Sequence, residues 1–153
     1  MKVSSIVKKK VDFITPDSTF LDASKVIFGH HHRGLPVVKG KNKKLVGFIT
    51  QQDILSQLFP TIGEFMEDYV HERDFEAMEK KALDVLTRKV KNVIGKKVIS
   101  IHIDDPILKA ESIMKINHIS RLPVVDSKGN LIGIISKGDI FRALVSPGIR
   151  GFE

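Results

Sequence analysis

Leu35-Pro36-Val37-Val38 and, after a short polar stretch, Gly47-Phe48-Ile49-Thr50-Gln51-Gln52-Asp53 return in the same order as Leu122-Pro123-Val124-Val125 and Gly133-Ile134-Ile135-Ser136-Lys137-Gly138-Asp139. A supersecondary unit written twice fixes the architecture before any single residue is weighed, and it implies two pseudo-symmetric repeats. From Val3 to Val38 the copies align at a constant offset of 87, which pairs Val3 with Val90, Ile14 with Ile101, Asp17 with Asp104 and His31 with His118. Beyond the hairpin the offset is 86. The missing residue falls between segments 39–44 and 126–130, both rich in turn-forming lysine, glycine, asparagine or aspartate.

Each copy reads as β-α-β-β-α. In the first, a short strand at 11–14 precedes Pro16-Asp17-Ser18-Thr19, a helix-start signal, and a helix carrying Phe20, Leu21, Ala23, Val26 and Ile27. Strands at 35–38 and 45–49 form a hairpin, and Asp53, Ile54, Leu55 and Leu58 open a second helix. The second copy repeats the order over 98–101, 107–116, 122–125, 131–135 and 137–145. The fold class expected is mixed α/β (α+β), with right-handed crossovers. Residues 1–58 form the first repeat, 59–89 a helical insert, 90–146 the second repeat and 147–153 a tail. The insert carries a helical stripe (Ile62, Phe65, Met66, Tyr69, then Phe75, Met78, Ala82, Val85, Leu86), with a break expected at 71–74.

The chain has 153 residues, 42% of them hydrophobic, enough for a shared core but marginal for either repeat alone. The absence of cysteine excludes disulfides, thiolate nucleophiles and cysteine-ligated zinc, and agrees with a reducing cytoplasm. No apolar leader or membrane-length run is present, so a soluble cytoplasmic protein is expected. The formal charge of +7 is uneven: between Phe59 and Glu79 there are seven acids, Glu64, Glu67, Asp68, Glu72, Asp74, Glu76 and Glu79, with only Arg73 against them. The basic remainder would concentrate a phosphate-bearing ligand or nucleic acid, although a solvated lysine-rich surface is the plainer explanation. A nucleic-acid binder is a weaker alternative, because the chain has no tryptophan, one tyrosine and no reader motif.

Thr50-x-x-Asp53 and Ser136-x-x-Asp139 place a hydroxyl and a carboxylate at a strand-to-helix junction. A helix cap worth ~1 kcal/mol would account for either copy. The same geometry also suits a nucleotide: the helix N-terminus offers N–H groups to phosphate, and an acceptor-only carboxylate takes both hydrogens of a ribose diol. Two such charge-assisted bonds, roughly 1.5–3 kcal/mol each, distinguish ribose from deoxyribose. Gly138 costs helix propensity inside the second motif and hints at close approach of a ligand or a neighbouring backbone.

The pair of β-α-β-β-α units carrying Leu-Pro-Val-Val and Gly-x-x-Thr/Ser-x-x-Asp resembles a tandem CBS-domain (Bateman) module over about residues 3 to 58 and 90 to 146. That resemblance implies two clefts between the repeats that bind adenosine-containing ligands such as AMP, ADP or ATP, a regulatory function, a homodimer and a regulated protein partner, with no cofactor required. It places Thr50/Asp53 and Ser136/Asp139 at the hydroxyl and ribose positions and the backbone near Ile14-Thr15 and Ile101-His102 around adenine. Arg121, directly before Leu-Pro-Val, stands at the phosphate position, where the first copy has Gly34 with Arg33 one residue earlier. Lys137 adds a cation beside Ser136, so the second site is expected to be the stronger. A structural adaptor that docks a partner without ligand is the remaining alternative.

His30-His31-His32 are read as a polar helix end rather than a metal site, since adjacent helical residues point about 100° apart. No metal ligand and no catalytic residue is assigned. Without a nucleophile elbow, phosphate loop, metalloprotease helix or dinucleotide fingerprint, the chain is not expected to be an enzyme.

Overall fold

The computed structural model describes residues 1–59, 75–92 and 97–146. The insert's stripe at 62–69, its break at 71–74, the side chains of Phe75, Glu76 and Met78, and the tail lie outside the described residues. The described chain divides into two compact units, Asp12–Val38 with Val46–Lys96, and Met1–Val11 with Lys39–Leu45 and Lys97–Glu153. The fold is mixed α+β with two β-α-β-β-α repeats.

The first repeat contains α1 (Phe20–Gly29), β1 (Gly34–Lys39), β2 (Lys44–Thr50) and α2 (Gln51–Leu58), followed in the insert by α3 (Phe75–Leu86). Phe20, Ala23 and Ile27 recur at helical spacing on one face of α1. They meet Leu35 and Val37 of β1, Ile49 of β2, Ile54 of α2 and Val85 of α3 in one buried cluster. Leu21, one position off that face, is exposed.

The second repeat contains β3 (Ile101–His102), α4 (Ile107–Ile116), β4 (Arg121–Val125), β5 (Leu131–Ser136) and α5 (Lys137–Val145). Its sheet runs β3-β4-β5, with β3 parallel and β5 antiparallel to β4. Ile101, Ile107, Ala110, Met114, Leu122, Val124, Ile135 and Ile140 form its core.

The parallel strands expected at 11–14 and 98–101 are much shorter than the sequence suggests. The first is a single bridge, Ile14 to Val37, and the second is the two residues of β3. The cause is the proline of Leu-Pro-Val-Val. Ile14 N–H donates to the Pro36 carbonyl (3.1 Å) and its own carbonyl accepts from Val38 N–H (2.9 Å). The next rung backwards would require an N–H from Pro36, which proline lacks.

Each unit also borrows a short 3-10 turn from the stretch preceding the other copy. Val3 lies in the core with Ile101 and Met114, whereas Val90 lies in the core with Ile14 and Phe20. The exchange is symmetric in its hydrogen bonds: Val3 N–H donates to Asp105 O (2.9 Å), and Val90 N–H donates to Ser18 O (2.8 Å). In the second unit, the N-terminal segment continues along β5. Lys8 and Ile134 exchange N–H···O bonds of 3.1 and 3.0 Å beside Gly133.

A side chain at Gly133 would collide with the Lys8 carbonyl and come within 2.8 Å of Val7 Cγ2. The opening glycine of the second motif is thus a docking requirement for the N-terminal segment. Gly133→Ala is expected to lower stability by about 1–3 kcal/mol and to release the Lys8 and Ile134 amides to hydrogen exchange. Urea denaturation and exchange NMR test this; unchanged protection of both amides would contradict the close-approach explanation.

Candidate functional site

Both repeats turn from strand to helix through a reciprocal cap. Thr50 N–H donates to Asp53 Oδ2 at 2.7 Å and Asp53 N–H returns to Thr50 Oγ1 at 3.1 Å. In the second copy Ser136 N–H donates to Asp139 Oδ2 at 3.0 Å, Ser136 Oγ donates to the same oxygen at 2.8 Å, and Asp139 N–H donates to Ser136 Oγ at 3.1 Å. The chain supplies its own control, because Thr19 and Asp22 make the same box at the start of α1 outside either motif. Capping geometry therefore does not mark a ligand site by itself. What surrounds the carboxylate does.

Asp139 is buried, and its Oδ1 receives two cations: Arg142 Nη2 at 2.7 Å and Lys8 Nζ at 3.0 Å. Arg142 reaches it by folding towards the N-terminus of α5, the direction in which long helical side chains point. A Cβ at Gly138 would make only ordinary van der Waals contact with the Arg142 side chain. The nearest atoms to a side chain built there are the Arg142 guanidinium nitrogens at 3.4 and 3.6 Å and Ser136 Oγ at 3.7 Å, none of them backbone. Of the two explanations for Gly138 in the sequence, close approach of a neighbouring backbone therefore has no support among the described residues.

The first copy is plainer. Asp53 is half-buried and capped by Thr50, but among the described residues no cation reaches it. The position matching Arg142 is Ser56, whose hydroxyl donates to Asp53 O, and the position matching Lys8 is Gly95, outside the described residues.

Arg121 and Ser136 are partners across β4 and β5, and Lys137 N–H donates to Ser120 O at 3.0 Å. Arg121, Ser136, Lys137 and Asp139 thus gather at one end of this sheet, with Arg121 and Lys137 exposed. Ile101 and His102 pair with Val124 and Val125, three and four residues further along β4, about 10–13 Å away. The register does not bring them to the same strand end. His102 is engaged locally: its Nδ1 accepts from Asp104 N–H at 3.1 Å, and its own N–H donates to Asp105.

In the first repeat, Ile14 likewise pairs with Val37, three residues beyond Gly34. Thr15 N–H donates to Ser18 Oγ at 3.2 Å, and exposed Arg33 accepts Gln51 N–H on its carbonyl at 2.9 Å. Gly34, the counterpart of Arg121, has the Phe48 ring 2.5 Å and the Ile49 carbonyl 2.9 Å from where a Cβ would stand. Phe48 occupies that space; its counterpart is the smaller Ile134. The first site lacks its arginine for a packing reason.

The two cations on Asp139 were missed from the sequence for different reasons. Arg142, one helical turn after Asp139, was within reach of an i, i+3 reading. Lys8 was not, because only the tertiary docking at Gly133 delivers it.

The CBS domain family description matches residues 3–59 and again 90–146. The chain belongs to the CBS-domain family. Protein MJ1426 of Methanocaldococcus jannaschii is 32% identical over 95% of this CBS chain and 92% of its own length. Several longer relatives, an inosine-5'-monophosphate dehydrogenase of the same organism among them, are spanned over less than half their length.

Among solved structures, the CBS domain pair of protein MJ0100, in complex with 5'-methylthioadenosine and S-adenosyl-L-methionine, is 26% identical with a TM-score of 0.62, covering 94% of this chain and 99% of that one. CBSX2 of Arabidopsis thaliana, in complex with AMP, gives a TM-score of 0.72 at 22% identity, covering 97% and 98% of the two chains. CBS-pair neighbours thus include proteins that hold adenosine-containing ligands. No helix among the described residues is long and apolar enough to cross a membrane.

Burial alone would push the Asp139 carboxyl up, but hydrogen bonds from Ser136 and the Lys8 and Arg142 cations together outweigh it and hold the group below the usual range. A carboxyl depressed in the folded state contributes its full stability above the unfolded value, about 4, and loses it as pH falls through the lower folded value. Wild type should therefore exceed Asp139→Asn by about 1–2 kcal/mol at pH 7, with the gap shrinking towards pH 3. Urea midpoints across that range check it, and a pH-independent gap would argue against ionic anchoring. For the first copy, Gly34→Arg should destabilise by about 1–3 kcal/mol and Gly34→Arg with Phe48→Ile should recover most of the loss, read from thermal melts.

Proposed function

We propose that the chain is a regulatory CBS-pair module that binds an adenosine-containing ligand, AMP, ADP, ATP or an adenosyl thioether or sulfonium, and carries out no chemistry of its own. The observation that carries this reading is the buried Asp139 carboxylate, fixed by Ser136 and flanked by Lys8 and Arg142. The four acceptor sites of this carboxylate are filled by Ser136 N–H, Ser136 Oγ, Lys8 and Arg142, so a vicinal ribose diol binds it by displacing cations from Oδ1. Arg121 and Lys137, exposed near the same strand end, together with Lys8 and Arg142, form a cationic surround for the ligand's anionic substituents. Thr50 and Asp53 offer the first repeat a weaker version, without an arginine at Gly34.

The regulatory step is a linkage. A ribose competing for Oδ1 exchanges with Lys8, so ligand occupancy and the docking of the N-terminal segment on β5 bias one another. A ligand shifts that equilibrium only by its difference in affinity for the two arrangements. A homodimer formed through the repeat helices, which expose Leu21 and Phe28 on α1 and Leu108 and Ile116 on α4, would pass the change on to a protein partner.

Calorimetric titration of the full chain with AMP, ADP, ATP, 5'-methylthioadenosine and S-adenosylmethionine is the test, with light scattering on the same samples. At least one should bind, Asp139→Ala should weaken it by about tenfold or more, and Asp53→Ala should have the smaller effect. Absence of heat with all five ligands would sink the proposal.

A further inference from the structure

The three consecutive histidines do not share a helix. α1 ends at Gly29, and the chain then reverses through His31, whose φ is +57°, in the left-handed region that non-glycine residues seldom occupy. His30 and His32 therefore converge instead of diverging. His30 Nδ1 lies 2.9 Å and His32 Nε2 2.8 Å from the same oxygen, Oδ2 of Asp12. The three donor atoms all lie within 4.8 Å of one another. All three residues belong to one compact unit.

From this convergence we infer a binding site for a borderline first-row divalent cation of the zinc class, ligated by His30 Nδ1, His32 Nε2 and an Asp12 carboxylate oxygen. Two imidazoles and one carboxylate are a donor set for such cations, in contrast to the all-oxygen sets of magnesium and calcium. Ligand bonds of about 2.0–2.2 Å in a tetrahedron set donors roughly 3.3–3.5 Å apart. To meet that geometry the histidine nitrogens withdraw from the Asp12 oxygen by about half an ångström and settle at the same spacing from each other, starting from within 4.8 Å; Asp12 and His30 are exposed enough to adjust. A neutral imidazole that donates to Asp12 accepts the metal by moving its proton to the other ring nitrogen. The fourth position faces solvent and takes water.

The second copy isolates what is specific to this site. His118 makes the same left-handed turn, with φ of +54°. The positions matching Asp12, His30 and His32 are Ile99, Asn117 and Ile119, so the turn is common to both repeats while the donor set is confined to the first. Asp12 is free to serve because the proline-truncated ladder ends at Ile14, two residues later.

Zinc chloride titration of the full chain by calorimetry, with cobalt(II) absorption as a coordination probe, tests the inference. One equivalent should bind, and cobalt should give the intense visible bands of a four-coordinate site. Loss of a direct ligand should cost at least the roughly 10–100-fold that loss of a ligand's own hydrogen-bond partner costs; His30→Asn and His32→Asn should each show it. His31→Asn, which tolerates the left-handed turn, should bind as wild type does. On the unmutated protein, zinc should shift the ring resonances of His30 and His32 and leave those of His102 and His118 in place. Lack of binding, full affinity in the His30→Asn/His32→Asn double variant, or shifts confined to other histidines would overturn the inference.

Discussion

The reciprocal hydrogen bonds between a strand-end hydroxyl residue and the aspartate three positions on are what convert β2 into α2 and β5 into α5. Orphan N–H groups at a helix start need acceptors. Thr50 with Asp53, and Ser136 with Asp139, supply them within four residues. Once made, the bond pair fixes where each carboxylate points, so one interaction sets both the direction of the helix and the orientation of the acceptor. The identical box at Thr19 and Asp22 shows that this geometry is general. Asp139 differs in being buried and in holding Lys8 and Arg142, which together with the Ser136 hydrogen bonds offset its desolvation.

The proline in Leu-Pro-Val-Val acts by subtraction. It removes one backbone donor per repeat, and the parallel strand that would otherwise run back from Ile14 or Ile101 stops there. In the first repeat the backbone at Asp12 leaves the ladder and its side chain meets the reversed end of α1. In the second, Ile99 stands at the same place and has no histidines to meet. A single missing N–H thus shapes both repeats, with different consequences set by what evolution placed around it.

Much of the fold was legible because the chain states it twice. The spacing of Phe20, Ala23 and Ile27, the hairpin turn residues and the Thr/Ser-x-x-Asp junctions located the four α-helices described in the two repeats and four of their strands, but not the 3-10 turns at Val3 and Val90. Strand lengths at 11–14 and 98–101 were misread because hydrophobic alternation does not register a missing donor on the partner strand. The convergence of His30 and His32 was hidden by treating 30–32 as helical, when a left-handed residue follows the helix end. Asp139 was readable as a candidate, but its burial and the reach of Lys8 depend on which sheet the N-terminal segment joins. Periodicity carries no record of that pairing. The charge on Gly34's counterpart was visible, whereas the Phe48 ring that forbids it in the first repeat required three dimensions.

The exchange of Val3 and Val90 bears on how such a chain can be divided. A cut at the sequence boundary between repeats would leave residues 1–58 without Val90 and its bond to Ser18, and residues 90–146 without Val3, Lys8 and the backbone that rests on Gly133. The repeat visible in the sequence is therefore not the compact structural unit. Each compact unit is a discontinuous piece of chain, so the two copies could not be parted by recombination at that boundary without each losing a strip of its own packing.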